Sequence, residues 1–387
     1  MFELIIAKRY LSSDTKMVLF VLLSVALSIA VIVVLIGINE GYKNELVASL
    51  VENNPHLTIS PKENEDNITL YRTLSGIVWS YPGVEAVSPR LLGMAGAKYK
   101  DKVRAVSFIG ADPLKEDPLL KVQRNMVWGN YSDLIFKRHA AVLGIKLAED
   151  LGLKPGDQFS LIRQKKSIQL NVVGLIKTGT GSDQTLIYLP LHTAQDILGQ
   201  NDVVSEVGVR ISNIYAAPSI ASDLNSRTYY KAESWQEQNK DSLQVLVTQD
   251  IILYIFTGLI LVIAGFGVAN TMIMNVMRRT KEIGILMAMG TTRRSIVSIF
   301  LAQSLILGPP AALLGMVMAY LAANAINASP IMMPSSDFNM VFRMTVVLSF
   351  QTYILAVVFA LITNFLAGIY PAYKASKLDP VEAIGSN

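Results

Sequence analysis

The sequence predicts a membrane α-helical protein with four transmembrane helices and a large extracytoplasmic α+β domain. The first observation behind this prediction is composition: of the 387 residues, 51% are hydrophobic and only 17% are charged. The mean hydropathy is +0.40. Such averages are too apolar for an ordinary soluble protein, so membrane spans are the first features to locate.

The second observation is a set of four stretches without Asp, Glu, Lys or Arg, at residues 17–39, 251–277, 295–336 and 344–373. Each exceeds the roughly 20 residues that an α-helix needs to cross the hydrocarbon core. The first stretch is longer than the roughly 7 to 15 apolar residues of a cleaved signal peptide, so we interpret it as a retained helix. We expect the spans at 17–39, 251–277, 295–327 and 351–373, with a short outer loop at 328–350.

Basic residues cluster beside these stretches, and their placement predicts the orientation. They are Lys8, Arg9 and Lys16 before the first span, Arg278, Arg279, Lys281, Arg293 and Arg294 between the second and third, and Lys374 and Lys377 after the fourth. Lys and Arg near the ends of spans are retained in the cytoplasm. We therefore expect a multi-pass protein of the cytoplasmic (inner) membrane, with both termini and the 278–294 loop in the cytoplasm and residues 40–250 outside it.

The segments that flank the first span have their own patterns. Phe2, Ile5, Ile6 and Tyr10 recur at roughly helical spacing, which indicates an amphipathic helix at residues 1–16 lying in the inner interface. An ordinary charged flank is the alternative. Residues 374–387 form a cytoplasmic tail.

The domain at residues 40–250 mixes short predicted strands and helices, separated by Pro and Gly turns such as 81–83 and 154–157. The order strand, helix, strand, a β-rich insertion, then strand, helix, strand predicts two subdomains, one interrupted by the other. Apolar stripes at 46–51 and 243–247 suit stalk helices that continue the spans. Two unrelated surface helices are the alternative.

Several catalytic classes lack their motifs in this chain. It contains no cysteine, which excludes disulfides, thiol nucleophiles and cysteine-ligated metals. The G-x-x-x-x-G-K-[ST] loop of P-loop ATPases is absent, and the three histidines, His56, His139 and His192, are far apart in sequence. We therefore expect no catalytic residue, no cofactor or metal bound by this chain, and no nucleic-acid partner.

The predicted spans contain no acid or base, which disfavours an ion-coupled carrier. They do contain small residues at four-residue spacing: Ala311, Gly315, Ala319 and Ala323 in the third, and Ala356, Ala360, Asn364 and Gly368 in the fourth. Such stripes let helices approach closely. Packing within one subunit and a dimer interface both explain them. Gly308-Pro309-Pro310 should kink the third span.

Two cytoplasmic segments carry more specific patterns. Residues 279–290 read RTKEIGILMAMG, and residues 370–384 read YPAYKASKLDPVEAI. Together with the order of one span, a large outer domain and three spans, they resemble the MacB, FtsX and lipoprotein-releasing (LolC/LolE) permeases, the type VII ABC transporters. GYKNEL at 41–46 and PHLTI at 55–59 look most like the lipoprotein-releasing branch.

The resemblance implies that the 278–294 segment contains a coupling helix seated on a P-loop ABC ATPase. It assigns this coupling to Arg279, Lys281, Glu282, Ile283, Gly284, Leu286, Met289 and Gly290. We expect Ile283, Leu286 and Met289 to enter an apolar groove of the ATPase, with the charged residues at its rim. The C-terminal family motif comprises Tyr370, Pro371, Ala375, Ser376, Pro380, Glu382 and Ala383.

The resemblance also implies partners and a mechanism. Two ATPase subunits would carry ATP and Mg²⁺, and a second permease copy or a paralogue would join them in the lipid bilayer. ATP-driven closure would move the coupling helices, bring the first two spans together and transmit movement through the stalk to the outer domain. An extracytoplasmic substrate or accessory protein completes the expected partners. The absence of a fused ATPase domain favours a separately encoded ATPase, and Gln303 stands where relatives often carry an acid.

The leading hypothesis is therefore a non-catalytic permease subunit that exports or extracts an amphiphile, such as a lipoprotein, lipid, peptide or hydrophobic drug. The alternative is an FtsX-like signal transmitter that activates an extracytoplasmic partner without transport. A receptor or adhesin anchored by its spans is a third hypothesis, although it would not need the cytoplasmic coupling signature.

Overall fold

The computed structural model describes residues 2–13, 15–52, 54–62, 65–329, 332–335, 340–343 and 345–385. Its helices are α1 (Phe2–Ser13), α2 (Thr15–Glu52), α3 (Tyr71–Trp79), α4 (Pro113–Leu120), α5 (Asp133–Phe136), α6 (Ile145–Leu151), α7 (Leu191–Leu198), α8 (Ala217–Arg227), α9 (Trp235–Gln238), α10 (Lys240–Arg278), α11 (Thr280–Ala288), α12 (Arg293–Ala328), α13 (Phe350–Ser376) and α14 (Pro380–Gly385). Its strands are β1 (Leu57–Ser60), β2 (Val84–Tyr99), β3 (Lys102–Ala111), β4 (Met126–Gly129), β5 (Ala140–Gly144), β6 (Gln158–Arg163), β7 (Lys166–Ile176), β8 (Leu186–Pro190), β9 (Glu206–Ile211), β10 (Lys231–Ser234), β11 (Met332–Ser335) and β12 (Met340–Arg343).

The chain folds as two compact units. The helical unit comprises Met1–Asn44, Val245–Met332 and Arg343–Asn387, and the β-rich unit comprises Glu45–Gln244 and Met333–Phe342. Among the described residues, α2, α10, α12 and α13 are long and apolar enough to cross a membrane. Four such helices together with a β-rich domain confirm the predicted fold class.

The helices extend beyond the charge-free stretches from which the spans were predicted. α2 continues to Glu52 and α10 begins at Lys240, so each helix runs through one of the stripes at 46–51 and 243–247 that suggested stalk helices continuing the spans. A charge-free stretch marks only the part of a helix that can lie in hydrocarbon. The helix itself can extend further, because its backbone hydrogen bonds form equally well where the side chains are polar. Within the predicted 328–350 loop, β11 and β12 pair with each other. Residues 330, 331, 336–339 and 344 of that loop lie outside the described residues.

The core of the helical unit is built from small and β-branched side chains of its four long helices. It includes Val25, Ile29, Val33, Val268, Met272, Ala311, Ala319, Ala356 and Ala360. A Cβ on Gly315 would lie 2.7 Å from the backbone oxygen of Ala26, and a Cβ on Gly368 would overlap Ser304. The small-residue stripe of α12 therefore packs within one chain, where it brings α12 against α2. α12 also runs without interruption through Pro309 and Pro310.

The β-rich unit contains a small antiparallel sheet with the strand order β10-β1-β9-β2. The segments β1-α3-β2 and β9-α8-β10 supply it, in the strand, helix, strand order expected from the sequence. Each helix buries one apolar stripe: α3 buries Tyr71, Leu74 and Val78, and α8 buries Ala217, Ala221 and Leu224.

The insertion between these segments closes a six-stranded barrel with the order β2-β3-β8-β5-β7-β6 and back to β2. Its closure leaves no free edge along this path. Its core includes Leu91, Phe108, Leu143, Phe159, Leu161, Leu170, Ile187 and Leu189. β2 is 16 residues long because it belongs to both the sheet and the barrel. The two predicted subdomains therefore share a strand.

Candidate functional site

The helix α11 lies between α10 and α12 in the chain, inside the segment predicted to couple to an ATPase. It covers Thr280–Ala288 and is followed by Gly290, whose φ of 97° favours glycine. The hydroxyl of Thr292 then accepts a hydrogen bond from the Ser295 backbone N–H at 3.2 Å and caps α12. These two residues end one helix and begin the next within a short turn.

The two faces of α11 have different surroundings. Ile283 is 1% exposed and packs with Val276, Ile296 and Phe300. Met289, just after the helix, is 71% exposed, and Ile285 is 48% exposed. The expectation that Ile283 and Leu286 reach out to a partner is therefore wrong for Ile283, which packs into the core of its own chain. Leu286 is half-buried against the same core.

Gly284 brings α11 against the C-terminal helix α14. A Cβ at Gly284 would lie 2.8 Å from the Cβ of Ala383 and 3.3 Å from the backbone oxygen of Pro380. Asp379 holds the start of α14, since its carboxylate accepts from the Val381 N–H at 2.8 Å. The structure thus joins the two segments that the sequence analysis treated separately.

The C-terminal motif divides into buried and exposed members. Pro371, Ala375, Ser376 and Ala383 are buried, whereas Tyr370 and Glu382 are exposed and Pro380 is half-buried. On α14, Val381 is 81% exposed and Ile384 is 46% exposed. α14 packs on α11 through Gly284 and Ala383, and both helices also have exposed residues. We call Lys281, Glu282, Ile285, Met289, Val381 and Ile384 the coupling surface.

Arg279 fastens α11 to α1. Its guanidinium lies over the ring of Tyr10, 4.2 Å from the centroid. It also donates to Glu282 Oε2 and Asn275 Oδ1, each at 3.1 Å, and to Ser13. Burial raises the pKa of the Tyr10 hydroxyl, and the charge of Glu282 adds to this shift. With a side chain only 13% exposed, Arg279 has an internal role instead of standing at the rim of a partner's groove.

The helix α1 packs against protein as well as having an exposed face. Ala7 and Tyr10 are buried in the same core as Ile299 and Phe300, whereas Ile5 is 67% exposed. The amphipathic pattern of residues 2–13 therefore provides a docking face for α12 and α11. The sequence signal was the helical spacing, but it did not identify the partner.

A pair of buried amides continues from Arg279 into the helical unit. Asn275 donates from Nδ2 to Gln303 Oε1 at 3.3 Å, and these residues are 2% and 0% exposed. Hydrogen bonds therefore connect Gln303 on α12 to Asn275 on α10, Asn275 to Arg279, and Arg279 to Glu282 on α11. The sequence singled out Gln303 only because relatives often carry an acidic residue at this position. Asn275 was missed, because it belongs to no recognisable motif.

A second polar cluster lies in the β-rich unit. Arg90 Nε is 3.1 Å from Glu116 Oε1, and Arg90 Nη1 donates to Glu206 Oε1 at 2.8 Å. Burial opposes the charge of Arg90, but the two carboxylates outweigh it and raise its pKa. Burial raises the pKa of Glu116, against the effect of Arg90. Arg90 also lines a cavity of about 320 Å³ with Tyr188 and other residues, among them Thr178, Thr180 and Ser182.

The described residues contain no group of three His, Asp or Glu side chains that could hold a metal ion. His56 is instead structural: its Nδ1 lies 2.9 Å from the backbone oxygen of Ile211. Burial lowers its pKa, and the charge of Arg210 lowers it further.

Two protein families match this chain, each over a different range of residues. Residues 18–227 match the MacB-like periplasmic core domain, and residues 254–380 match the FtsX-like permease C-terminal. The second match contains all of α11 and α12 and the buried amide pair.

Individual relatives resemble the chain over most of its length. It is 23% identical over 382 residues to the lipoprotein-releasing system transmembrane protein LolC of Neisseria meningitidis, covering 93% of this chain and 92% of that protein. It is 23% identical over 405 residues to the macrolide export ATP-binding/permease protein MacB of Psychrobacter arcticus, covering 95% and 56%. Among solved structures, the periplasmic region of MacB from Actinobacillus actinomycetemcomitans matches with a TM-score of 0.39 and 12% identity, over 51% of this chain and 95% of that one.

Proposed function

Because the chain belongs to the family of MacB-, FtsX- and LolC/LolE-type ABC transporter permeases, we propose that it transmits movement from a cytoplasmic ATPase to its extracytoplasmic β-rich unit. The chain is a membrane-spanning permease subunit with an extracytoplasmic domain. The further steps concern where the ATPase binds, how force passes through the chain and what is moved.

The observation that carries the proposal is the coupling surface. Its apolar residues Ile285, Met289 and Val381 are 48%, 71% and 81% exposed, although Ile283, Gly284 and Ala383 on the same two helices are buried. Lys281 and Glu282 border them. Apolar side chains surrounded by charged ones suit a protein partner, because such a patch gains free energy when water is removed from it. The partner is a P-loop ABC ATPase, which carries ATP and Mg²⁺.

The contacts behind this surface give it a rigid attachment. Gly284 packs on α14, Ile283 packs into the core, and Arg279 binds α1 and α10. A push on the coupling surface would therefore move α10 and α12 with it and would not bend a loose loop. This is the property that a mechanical transmitter needs.

The basic residues that surround α11 support an orientation in which the coupling surface and both termini face the cytoplasm. We infer two ATPase copies and a second permease copy or paralogue from the family to which the chain belongs. The substrate class is an amphiphile that is exported or extracted, in line with the lipoprotein and macrolide named for its relatives.

The test compares Met289→Asp with Met94→Asp. Met289 lies on the coupling surface, and Met94 is 78% exposed on β2 in the β-rich unit. Both variants place a negative charge at an exposed methionine, so we expect the two substitutions to affect folding equally little. We expect Met289→Asp to reduce recovery of an ATPase with the purified chain by roughly 30-fold, as for loss of a binding hot spot, and to abolish ATP hydrolysis in nanodiscs.

Met94→Asp should retain both properties. Equal ATPase recovery with the two variants would refute the coupling surface. Failure to recover any ATPase with the unmodified chain would refute the permease mechanism itself. Gly284→Arg should also uncouple the complex, but through displacement of α14, so the exchange of α14 backbone amides should rise as well.

A further inference from the structure

The cavity beside Arg90 lies entirely within the β-rich unit and has a volume of about 320 Å³. This volume is at the lower end of the range of roughly 300–1,000 Å³ that small-molecule sites occupy. Its wall includes β2, which belongs to both the sheet and the barrel, together with β3, β7 and β8 and the turn between β7 and β8. The cavity is therefore large enough for a small ligand and is built from the rigid strands of the unit.

Two buried side chains on this wall have hydrogen-bond donors without an acceptor. Arg90 is 7% exposed and Tyr188 is 4% exposed. Arg90 Nη1 donates to Glu206 Oε1 at 2.8 Å, but neither oxygen of Glu116 accepts a hydrogen bond. Within the part of the chain that the structure describes, Arg90 Nη2 and the Tyr188 hydroxyl have no acceptor. Because buried polar groups are nearly always hydrogen-bonded, these donors indicate a ligand that accepts hydrogen bonds.

The charges around Arg90 disfavour an anionic ligand. Glu116 Oε1 is 3.1 Å from Arg90 Nε, and Glu206 Oε1 is 2.8 Å from Arg90 Nη1. With both carboxylates ionised, the cluster has a net negative charge. Burial raises the pKa of Glu116, which favours a neutral cluster. In either state, a carboxylate or phosphate of a ligand would lose its hydration without meeting an unbalanced positive charge.

The rest of the wall is neutral and partly apolar. No Asp, Glu or Lys is among the described residues that line it, so an ammonium group would find no carboxylate there. Asn125 and Ser182 supply an amide and a hydroxyl. Asn54 donates from Nδ2 to the Leu50 backbone oxygen at 3.1 Å, which leaves its Oδ1 to accept from a ligand. The apolar part of the wall includes Ile109, Val122 and Leu186.

From these features we infer that the cavity binds a neutral peptide amide that carries an apolar side chain. Its carbonyl oxygens accept from Arg90 Nη2 and the Tyr188 hydroxyl, and an amide N–H donates to Asn54 Oδ1. Its side chain packs on Ile109 and Leu186. A neutral carbonyl suits a guanidinium whose charge is already balanced, and the mixed wall suits a ligand with one polar and one apolar part.

This inference concerns a ligand of the β-rich unit and does not need an ATPase or transport. It can therefore fail or succeed independently of the proposed function.

The experiment is saturation-transfer difference NMR of the full chain in nanodiscs, with three probes built on leucine. They are N-acetyl-leucinamide, which is neutral, N-acetyl-leucine, which is anionic, and leucinamide, which is cationic at pH ~6.5. Empty nanodiscs correct for probe that enters the lipid. We expect N-acetyl-leucinamide to bind and the two charged probes to bind roughly 10-fold more weakly or less, because each would bury an uncompensated charge.

The matched variants are Tyr188→Phe and Tyr131→Phe. The two rings meet edge to face with centroids 5.5 Å apart, and the Tyr131 hydroxyl is also buried without a partner, but Tyr131 does not line the cavity. Neither variant removes a hydrogen bond within the described chain, so both should fold. Tyr188→Phe should weaken binding of N-acetyl-leucinamide about 3- to 10-fold, the loss of one hydrogen bond, and Tyr131→Phe should leave it unchanged.

Four results would overturn the inference. Equal affinities of the two variants would show that the Tyr188 hydroxyl does not contact the ligand. Tighter binding of N-acetyl-leucine than of N-acetyl-leucinamide would make the cavity an anion site. Tighter binding of methyl glucoside, a neutral probe without an amide, would make it a sugar site. Absence of binding by every probe would mean that the cavity holds only water.

Discussion

The two units each bury a polar cluster, but they do so with different chemistry. The β-rich unit buries full charges, with Arg90 between Glu116 and Glu206. The helical unit buries neutral amides, Asn275 and Gln303, and has its guanidinium at the end of α10. The free-energy cost of burying a charge depends on whether oppositely charged or hydrogen-bonding groups surround it and on its distance from water.

The difference shows that the surroundings of a buried polar group decide whether it can carry a charge. In the β-rich unit, Arg90 lies on β2, and α4 and β9 bring Glu116 and Glu206 to it, so two carboxylates can compensate one cation. In a bundle that crosses a membrane, a lone charge is expensive, and neutral amides give a directional contact at lower cost. The charge of Arg279 is tolerated because it lies beyond the last turn of α10.

The largest expected effect comes from breaking the charged cluster. Glu116→Ala removes a fully buried carboxylate and leaves Arg90 with one partner, which should destabilise the β-rich unit by about 3–5 kcal/mol. The three tryptophans, Trp79, Trp128 and Trp235, all lie in this unit. Their fluorescence in a denaturant titration of the full chain therefore reports its unfolding.

The control for this prediction is Arg104→Ala, which removes an exposed ion pair with Asp150. Exposed pairs contribute little because water screens both charges. The denaturation midpoint should hardly change. A shift in Arg104→Ala as large as that in Glu116→Ala would mean that burial does not set the cost in this unit.

The next largest effect concerns the charged end of the helical cluster. Arg279→Ala removes hydrogen bonds to Asn275, Glu282 and Ser13 and the stacking on Tyr10, a loss of roughly 1.5–3 kcal/mol of local stability. Hydrogen exchange of α1 should increase. Arg279→Lys should rescue little, because one ammonium group cannot reproduce the planar fork. Arg294→Ala, on an exposed residue, should leave the exchange of α1 unchanged, and unaltered α1 exchange in Arg279→Ala would contradict this assignment.

A smaller effect is expected inside the bundle. Gln303→Leu leaves Asn275 without this hydrogen-bond acceptor and should cost about 0.6–1.7 kcal/mol, the range measured for polar pairs in membranes. Circular dichroism during denaturation in sodium dodecyl sulfate measures it. The double variant Asn275→Leu/Gln303→Leu removes both partners and should be closer in stability to the unmodified chain. Simple additivity of the two single losses would show that the amides do not act as a pair.

The smallest effect depends on pH and involves His56. Because its pKa is below the ordinary value of 6.5, the fold favours the neutral ring. The stability that depends on His56 is therefore complete above pH ~6.5 and declines as the pH falls below it. Tryptophan fluorescence at pH 7.5 and 5.5 should show this decline, and His56→Gln should reduce it. An identical pH dependence in both proteins would exclude His56 as the cause.

Some features of this chain were predictable because their signals are local. The charge-free stretches predicted the membrane helices, and the turns and apolar patterns of residues 40–250 predicted the strand, helix, strand order on either side of a β-rich insertion. The insertion was recognised as β-rich, but β5 and the helices α4, α6 and α7 were not predicted. These elements are short, and their stability comes from burial in the barrel more than from their own sequence pattern.

By itself, the sequence determined the fold class, the helices long and apolar enough to span a membrane and the family, because hydrophobic length and motif order are properties of consecutive residues. Only the tertiary structure decided that Ile283 faces inward, that Gly284 brings α14 onto α11, and that Asn275 joins Gln303 to Arg279. These contacts join residues from different helices. Helical periodicity defines the faces of each helix, but packing decides which face meets another helix and which remains open to a partner.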